Sequence, residues 1–114
     1  MSKKLQKLGR LRKRAEFLYV RDGKYAARHL VVVQARKRQE SGAQIKCGFT
    51  ATKKIGNAVA RNRAKRRLRE CARALLPALG TPGHDYVFIA RKDTGSADWQ
   101  NLNKDVEKAL LRLQ

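Results

Sequence analysis

The sequence predicts one α+β domain over residues 1–114, a small mixed sheet packed with helices in the order α-β-β-α-β-α. Three segments carry apolar residues at three- and four-residue spacing, which is typical of helices that lie on a core. Three other segments are β-branched or alternate apolar with polar residues, which is typical of strands. A chain of 114 residues is long enough for one modest core, so we expect these six elements to share it.

The first helix is expected to begin at Leu11 and to end near Gly23, because glycine commonly follows the C-terminus of a helix. The segment before it, 1–10, is basic and interrupted by a glycine, and we expect it to be mobile. The candidate apolar positions of this helix are Leu11, Ala15, Phe17, Leu18 and Val20.

The next two elements are strands. Residues 30–35 read LVVVQA, a β-branched run that suits a strand covered on both faces. Residues 45–51 alternate apolar and polar positions, which indicates that one face lies on the core. A polar loop with Ser41 and Gly42 separates the two strands, and we expect them to pair as a hairpin. Gly48 inside the second strand permits either the close approach of a ligand backbone or a twist or bulge.

The segment 53–70 contains eight basic residues and a single acid, Glu70. Asn57 is a predicted N-cap, and the free N–H groups of the following turn attract anions. We expect a helix over 58–76 that ends at or before Pro77, because proline disrupts a helix interior. Its predicted apolar stripe is Ala60, Ala64, Leu68, Cys71, Ala72, Leu75, Leu76 and Leu79. The predicted basic face on the other side is Arg61, Lys65, Arg66, Arg69 and Arg73.

A turn over 80–83 leads to the third predicted strand, 86–91, which reads YVFIAR. Ser96 is the predicted N-cap of a last helix, and Asp98 in its first turn is favourable for the helix dipole. The apolar positions of this helix are Trp99, Leu102, Val106, Ala109, Leu110 and Leu113.

The formal net charge of +19 exceeds what solubility requires and indicates a polyanionic partner, either nucleic acid or an anionic membrane surface. Nucleic acid is the stronger prediction, because no apolar run exceeds the six residues of 74–79 and none can span a bilayer. The basic N-terminus lacks the apolar segment of a secretory signal, so we expect a cytoplasmic protein. Nine basic residues and one acid occupy 53–73, whereas 74–114 holds five of each. We therefore expect this last third to be scaffold.

No group of residues has the pattern of an active site. Cys47 and Cys71 are 24 positions apart without a CxxC motif, which favours two buried thiols. His29 and His84 are isolated from other potential metal ligands. We therefore expect no catalytic residue, no metal ligand and no cofactor bound by the protein alone. The carboxylates that we expect to form a solvated face, rather than to hold two metals, are Asp85, Asp93, Asp98, Asp105 and Glu107.

One run of residues has the pattern of a known signature. Lys53, Lys54, Gly56, Ala58, Val59, Arg61, Asn62, Lys65, Arg66 and Arg69 form this run. It resembles the Arg-Asn-Arg signature of the bacterial ribonuclease P protein subunit. Leu11, Phe17 and Val20 match the spacing that opens this family. The resemblance implies a left-handed βαβ crossover, although such connections are otherwise right-handed.

The resemblance also implies a function. In this family the RNA subunit carries out metal-assisted hydrolysis, for which magnesium is expected, and the small protein is an accessory subunit. The implied partners are that catalytic RNA and the 5′ leader of precursor tRNA, with neither a membrane nor DNA. The implied RNA-binding residues are Lys53, Lys54, Gly56, Asn57, Arg61, Asn62, Arg63, Lys65, Arg66 and Arg69.

The implied leader-binding cleft consists of Phe17, Val31 and Val33, where stacking of unpaired bases would tolerate any leader sequence. Phe17 is equally compatible with an ordinary core position. Arg21 stands where the family often has a second aromatic residue.

Three other interpretations are compatible with the composition. The protein could be a ribosomal or RNA-chaperone protein without a role in cleavage, its basic helix face could be solvated and have no particular function, or it could be a stand-alone hydrolase. The solvated helix is disfavoured because nine like charges between Lys53 and Arg73 repel one another unless a polyanion binds them. The hydrolase is disfavoured because the carboxylates are not clustered.

Overall fold

The computed structural model describes residues 8–114 as a five-stranded mixed sheet with helices on both faces. The strands are β1 (Gly9–Arg10), β2 (Lys24–Ala27), β3 (Val31–Lys37), β4 (Lys46–Thr50) and β5 (His84–Ala90). The helices are α1 (Arg14–Arg21), α2 (Ala58–Leu79) and α3 (Trp99–Arg112), with a 3-10 turn at Lys53–Ile55. The predicted α+β class is confirmed, and the six predicted elements occur in the predicted order with β1 and β2 added.

The sheet has the strand order β1-β4-β5-β3-β2. β4 is parallel to both β1 and β5, whereas β3 is antiparallel to both β5 and β2. The predicted hairpin between the strands at 30–35 and 45–51 is therefore wrong, because β5 lies between them. β5 takes this central position because its side chains are buried on both faces of the sheet. The hairpin that does form joins β2 to β3, with Ala26 opposite Val33.

The edge strand β1 falls inside the segment that was expected to be mobile. The Gly9 N–H donates to the Ile45 carbonyl at 2.8 Å, and the Leu11 N–H donates to the Cys47 carbonyl at 3.0 Å. Gly9 and Arg10 are thus paired with β4. The first seven residues of the segment lie outside the described part of the chain, and mobility stays a prediction for them. Leu11 continues this strand pairing and precedes α1, which begins only at Arg14.

The two faces of the sheet bury different clusters. The main core lies between the sheet and the α2–α3 pair and includes Val33, Leu68, Phe88 and Leu102, each 0% exposed. The smaller cluster lies under α1 and consists of Leu11, Val20 and Val87, with Phe17, Tyr19 and Ile89 packed against it. Ala15, a predicted apolar position of α1, is exposed instead.

α2 connects the adjacent parallel strands β4 and β5 as a βαβ unit. Its predicted apolar stripe is confirmed, since Ala64, Leu68, Cys71, Ala72 and Leu76 are buried. The left-handed crossover expected from the family resemblance stays a prediction.

The ends of α2 and α3 differ in part from the sequence prediction. Asn57 caps α2 as predicted, because its Oδ1 accepts from the Ala60 N–H at 2.9 Å. α2 continues past Pro77, since a proline in the last turn removes only one helical hydrogen bond and Gly80 N–H closes that turn on the Leu76 carbonyl at 2.8 Å. Asp98 rather than Ser96 caps α3, because its carboxylate accepts from Gln100 N–H at 3.0 Å. None of the described helices is both long enough and apolar enough to cross a membrane.

Candidate nucleic-acid interface

A groove of about 840 Å³ runs along the β1–β4 edge of the sheet, between α1 and α2. Its floor and one wall are apolar and include Leu11, Phe17 and Gly48. The other wall is cationic, because Lys65, Arg69 and Arg73 of α2 follow one another at four-residue spacing along its rim. The structure therefore brings three predicted site residues, Phe17, Lys65 and Arg69, to one groove.

Phe17 is half-buried, with its ring directly over Gly48 of β4. A Cβ atom at Gly48 would lie 2.5 Å from Cζ of Phe17 and 2.6 Å from its Cε2. The glycine in this strand thus accommodates a side chain of the same protein, rather than a ligand backbone. Phe17 packs on the strand and also lines the groove, so the core and cleft roles considered for it are combined.

Val31 and Val33 do not line the groove, which corrects the predicted cleft. Both residues are 0% exposed and belong to the main core on the α2–α3 face of the sheet. Successive residues of a strand point to opposite faces, so it is Val32 and Gln34 that lie on the α1 side. The uninterrupted β-branched run in the sequence carries no sign of which face each valine occupies.

The beginning of α2 has its own geometry. Gly56 has a φ of +143°, a conformation that L side chains rarely adopt, and Arg61 Nη1 donates to its carbonyl at 2.8 Å. Gly56 and Asn57 therefore shape the backbone at the start of the helix. Lys53 and Lys54, in the 3-10 turn just before it, are exposed.

The basic side chains of α2 divide between two sides of the helix. Arg63 Nε donates to the Gly95 carbonyl at 2.8 Å. Arg67 donates to the Thr94 and Ala97 carbonyls at 2.8 and 2.7 Å. These arginines face the loop before α3, whereas Lys65 and Arg69 face the groove. Arg63 and Arg67 do not belong to the basic face predicted from the sequence, and they form a second basic surface beside this loop. The exposed Asn62 and Arg66 lie on the solvent side of α2.

Two cations near the groove have partners within the protein. The Arg69 guanidinium carbon lies 5.5 Å from the centroid of the Phe49 ring, which itself stacks on Phe88. Arg73 forms an ion pair with Glu70 at 2.9 Å. Arg10, Lys65 and Arg69 are consequently the groove cations with no acidic partner within residues 8–114.

No second aromatic residue of α1 reaches the groove. The Tyr19 hydroxyl donates to the Lys37 carbonyl at 2.7 Å, and the Arg36 guanidinium carbon lies 4.0 Å from its ring centroid. Tyr19 is therefore engaged beside β3, and Arg21 is exposed.

The titratable groups that could do chemistry are dispersed or buried. Within residues 8–114, no three His, Cys, Asp or Glu side chains lie close enough together to hold a metal ion. Asp85, which was expected on a solvated face, is buried and pairs with Arg38 at 2.6 Å. Cys47 and Cys71 are free and buried, as predicted, and burial raises the pKa of each thiol to about 11.

The fold and this surface define a small, strongly basic α+β protein whose apolar groove is rimmed by cations. A family model described as Ribonuclease P matches residues 5–114. The chain belongs to that family.

Relatives named Ribonuclease P protein component include proteins from Caulobacter vibrioides and Ruegeria pomeroyi. The one from Caulobacter vibrioides is 52% identical over 107 residues, which cover 94% of this chain and 72% of the relative. The one from Ruegeria pomeroyi is 51% identical over 105 residues, which cover 90% of this chain and 84% of the relative.

Solved structures support the same family. The RNase P protein of Staphylococcus aureus matches with a TM-score of 0.79 and 27% identity, covering 95% of this chain and 97% of that one. The RNase P protein of Thermotoga maritima matches with a TM-score of 0.78 and 29% identity, covering 92% of this chain and 97% of that one.

Proposed function

We propose that this chain is the protein subunit of ribonuclease P, which binds the catalytic RNA and the 5′ leader of precursor tRNA and so promotes endonucleolytic 5′ maturation. Membership of the family supports the subunit role. The groove that joins Phe17 to the Lys65–Arg69 rim is the observation on which the leader-binding role rests.

The leader is single-stranded, and the groove has the two features that unpaired RNA requires. An aromatic side chain offers a stacking surface to any base, and neighbouring cations offer charge to the phosphates. Phe17 provides the first feature, and Lys65 and Arg69 provide the second. Leu11 and Gly48 take the place of Val31 and Val33 in the proposed cleft.

The catalytic RNA is proposed to bind the remaining basic surface of α2 and the turn before it. The side chains available to phosphates there are Lys53, Lys54, Arg61, Arg63 and Arg66. Asn62 is exposed and can both donate and accept at a sugar or base edge. Neutralising phosphates on two polyanions allows precursor and catalytic RNA to approach each other.

Hydrolysis is assigned to the RNA subunit, with magnesium as its metal ion. In this proposal the protein binds no cofactor of its own, and it works in the cytoplasm together with its two RNA partners. Its own contribution is positional, because basic side chains and a stacking surface bind phosphates and bases without breaking a bond.

Recovery of the RNA bound in cells tests this function against its main alternative. The chain would be tagged, crosslinked to RNA in its host and purified, and the bound RNA sequenced. The proposal predicts one abundant structured RNA, the catalytic subunit, together with tRNA precursors that retain their leaders. Recovery of ribosomal RNA alone would instead identify a ribosomal or RNA-chaperone protein.

A further inference from the structure

Trp99 is a large aromatic residue that is 42% exposed at the first position of α3. Its helical spacing predicted a core position, and Leu102 and Val106 on the same spacing are indeed 0% exposed. Single exposed apolar side chains are common on protein surfaces. The surroundings of Trp99 are what distinguish it.

A shallow pocket of about 330 Å³ is lined by Trp99 together with Arg63, Arg66, Arg67 and Glu70 of α2. The pocket thus contains three guanidinium groups and one carboxylate, and that carboxylate already pairs with Arg73 at 2.9 Å. An aromatic ring beside excess positive charge is complementary to a nucleotide, whose base is flat and whose phosphate is anionic.

The pocket is held in place by hydrogen bonds between α2 and the loop before α3. Arg67 donates to the carbonyls of Thr94 and Ala97, and its guanidinium carbon lies 5.8 Å from the Trp99 ring centroid. The ring therefore has a fixed cation on one side, and its exposed part is left for another planar group. Arg66 is exposed and makes no ion pair within the described residues, so its guanidinium is available to a phosphate.

We propose that Trp99 stacks on an unpaired base of the RNA that α2 binds, while Arg66 contacts the adjacent phosphate. This inference rests on the proposed function. It extends the RNA-binding surface from α2 onto α3, on the side of α2 that faces away from the leader groove.

The fluorescence emission of Trp99 measures this stacking directly, because Trp99 is the one tryptophan in the sequence. The full-length protein would be titrated with the cognate catalytic RNA, and its emission recorded alongside binding measured by filter retention. Stacking on a base predicts quenching that saturates together with binding. Inorganic polyphosphate, a polyanion without bases, should bind the arginines and leave the emission almost unchanged.

Substitutions give the second arm of the experiment. Trp99→Ala should weaken binding of the catalytic RNA by about 5- to 150-fold, the range for loss of one base–aromatic stack, and Trp99→Phe should restore most of the affinity. Leu111→Ala is the matched control, because it removes another exposed apolar side chain of α3, which is 47% exposed and lies outside the pocket. It should bind as the unmodified protein does.

The possible outcomes separate this inference from the function on which it rests. Catalytic RNA that binds with unchanged Trp99 emission, or with equal affinity for the Trp99→Ala variant, would overturn the stacking role and leave the subunit role intact. Absence of binding by the unmodified protein would overturn both. The emission arm uses the unmodified chain, so a variant that fails to fold does not prevent a decision.

Discussion

Phe17 lies where the cluster under α1 meets the groove, and its side chain contacts both. Its ring covers Gly48, and its half-exposed position leaves part of the ring for a ligand. The residue could be predicted from its place in the family pattern. Its packing partner could not, because Gly48 is 31 positions away in the sequence and only the fold brings the two together.

Phe17→Ala is expected to weaken binding of precursor tRNA by about 1–3 kcal/mol, because one base loses its stacking surface. Binding of mature tRNA, which has no leader, should hardly change. Val33→Ala serves as a control, since this buried residue should affect stability without distinguishing the two tRNAs. Equal losses for precursor and mature tRNA in the Phe17→Ala variant would exclude a leader-specific role.

Gly48→Ala is expected to destabilise the protein by about 1–3 kcal/mol, because the added methyl group overpacks against the Phe17 ring. Combining it with Phe17→Ala removes the clash. The double variant should therefore be more stable than the sum of the two single effects predicts, by about 0.5–3 kcal/mol. Urea denaturation of the four proteins measures this coupling, and strictly additive effects would show that the Phe17–Gly48 contact is unimportant.

At the scale of elements, the three sides of α2 contact different parts of the molecule. One side is the buried stripe, one borders the groove, and one holds the loop before α3. The sequence could predict the first, because helical periodicity identifies a buried stripe. It could not predict the third, because only the fold brings the loop carbonyls that accept from Arg63 and Arg67 beside α2.

Arg66 and Arg67 form a matched pair that tests this division. Arg67→Ala should cost about 1.5–3 kcal/mol of stability, because a charged donor is lost from the Thr94 and Ala97 carbonyls. Arg66→Ala should leave stability unchanged and flatten the slope of log affinity against log salt by about 0.7–0.9, the effect of one phosphate contact. Thermal denaturation and salt titration with the catalytic RNA measure the two effects. The reverse pattern would contradict the assignment.

At the scale of the whole molecule, the sheet places the two proposed RNA-binding surfaces on one scaffold. β5 lies at the centre of the sheet, and α2 returns along the main core beside it, so that the groove opens at the β1–β4 edge. The class and the main elements could be predicted from periodicity and charge. The strand pairing could not, since the hairpin signal between β3 and β4 is local, whereas the insertion of β5 between them is decided by burial across the whole sheet.

Reconstituted cleavage of precursor tRNA tests the central claim most directly. Purified protein, the cognate RNA subunit and precursor tRNA would be combined in physiological magnesium, with each subunit also assayed alone. The account predicts cleavage at the mature 5′ end when both subunits are present, and none by the protein alone. Cleavage at that site by rigorously RNA-free protein would contradict it.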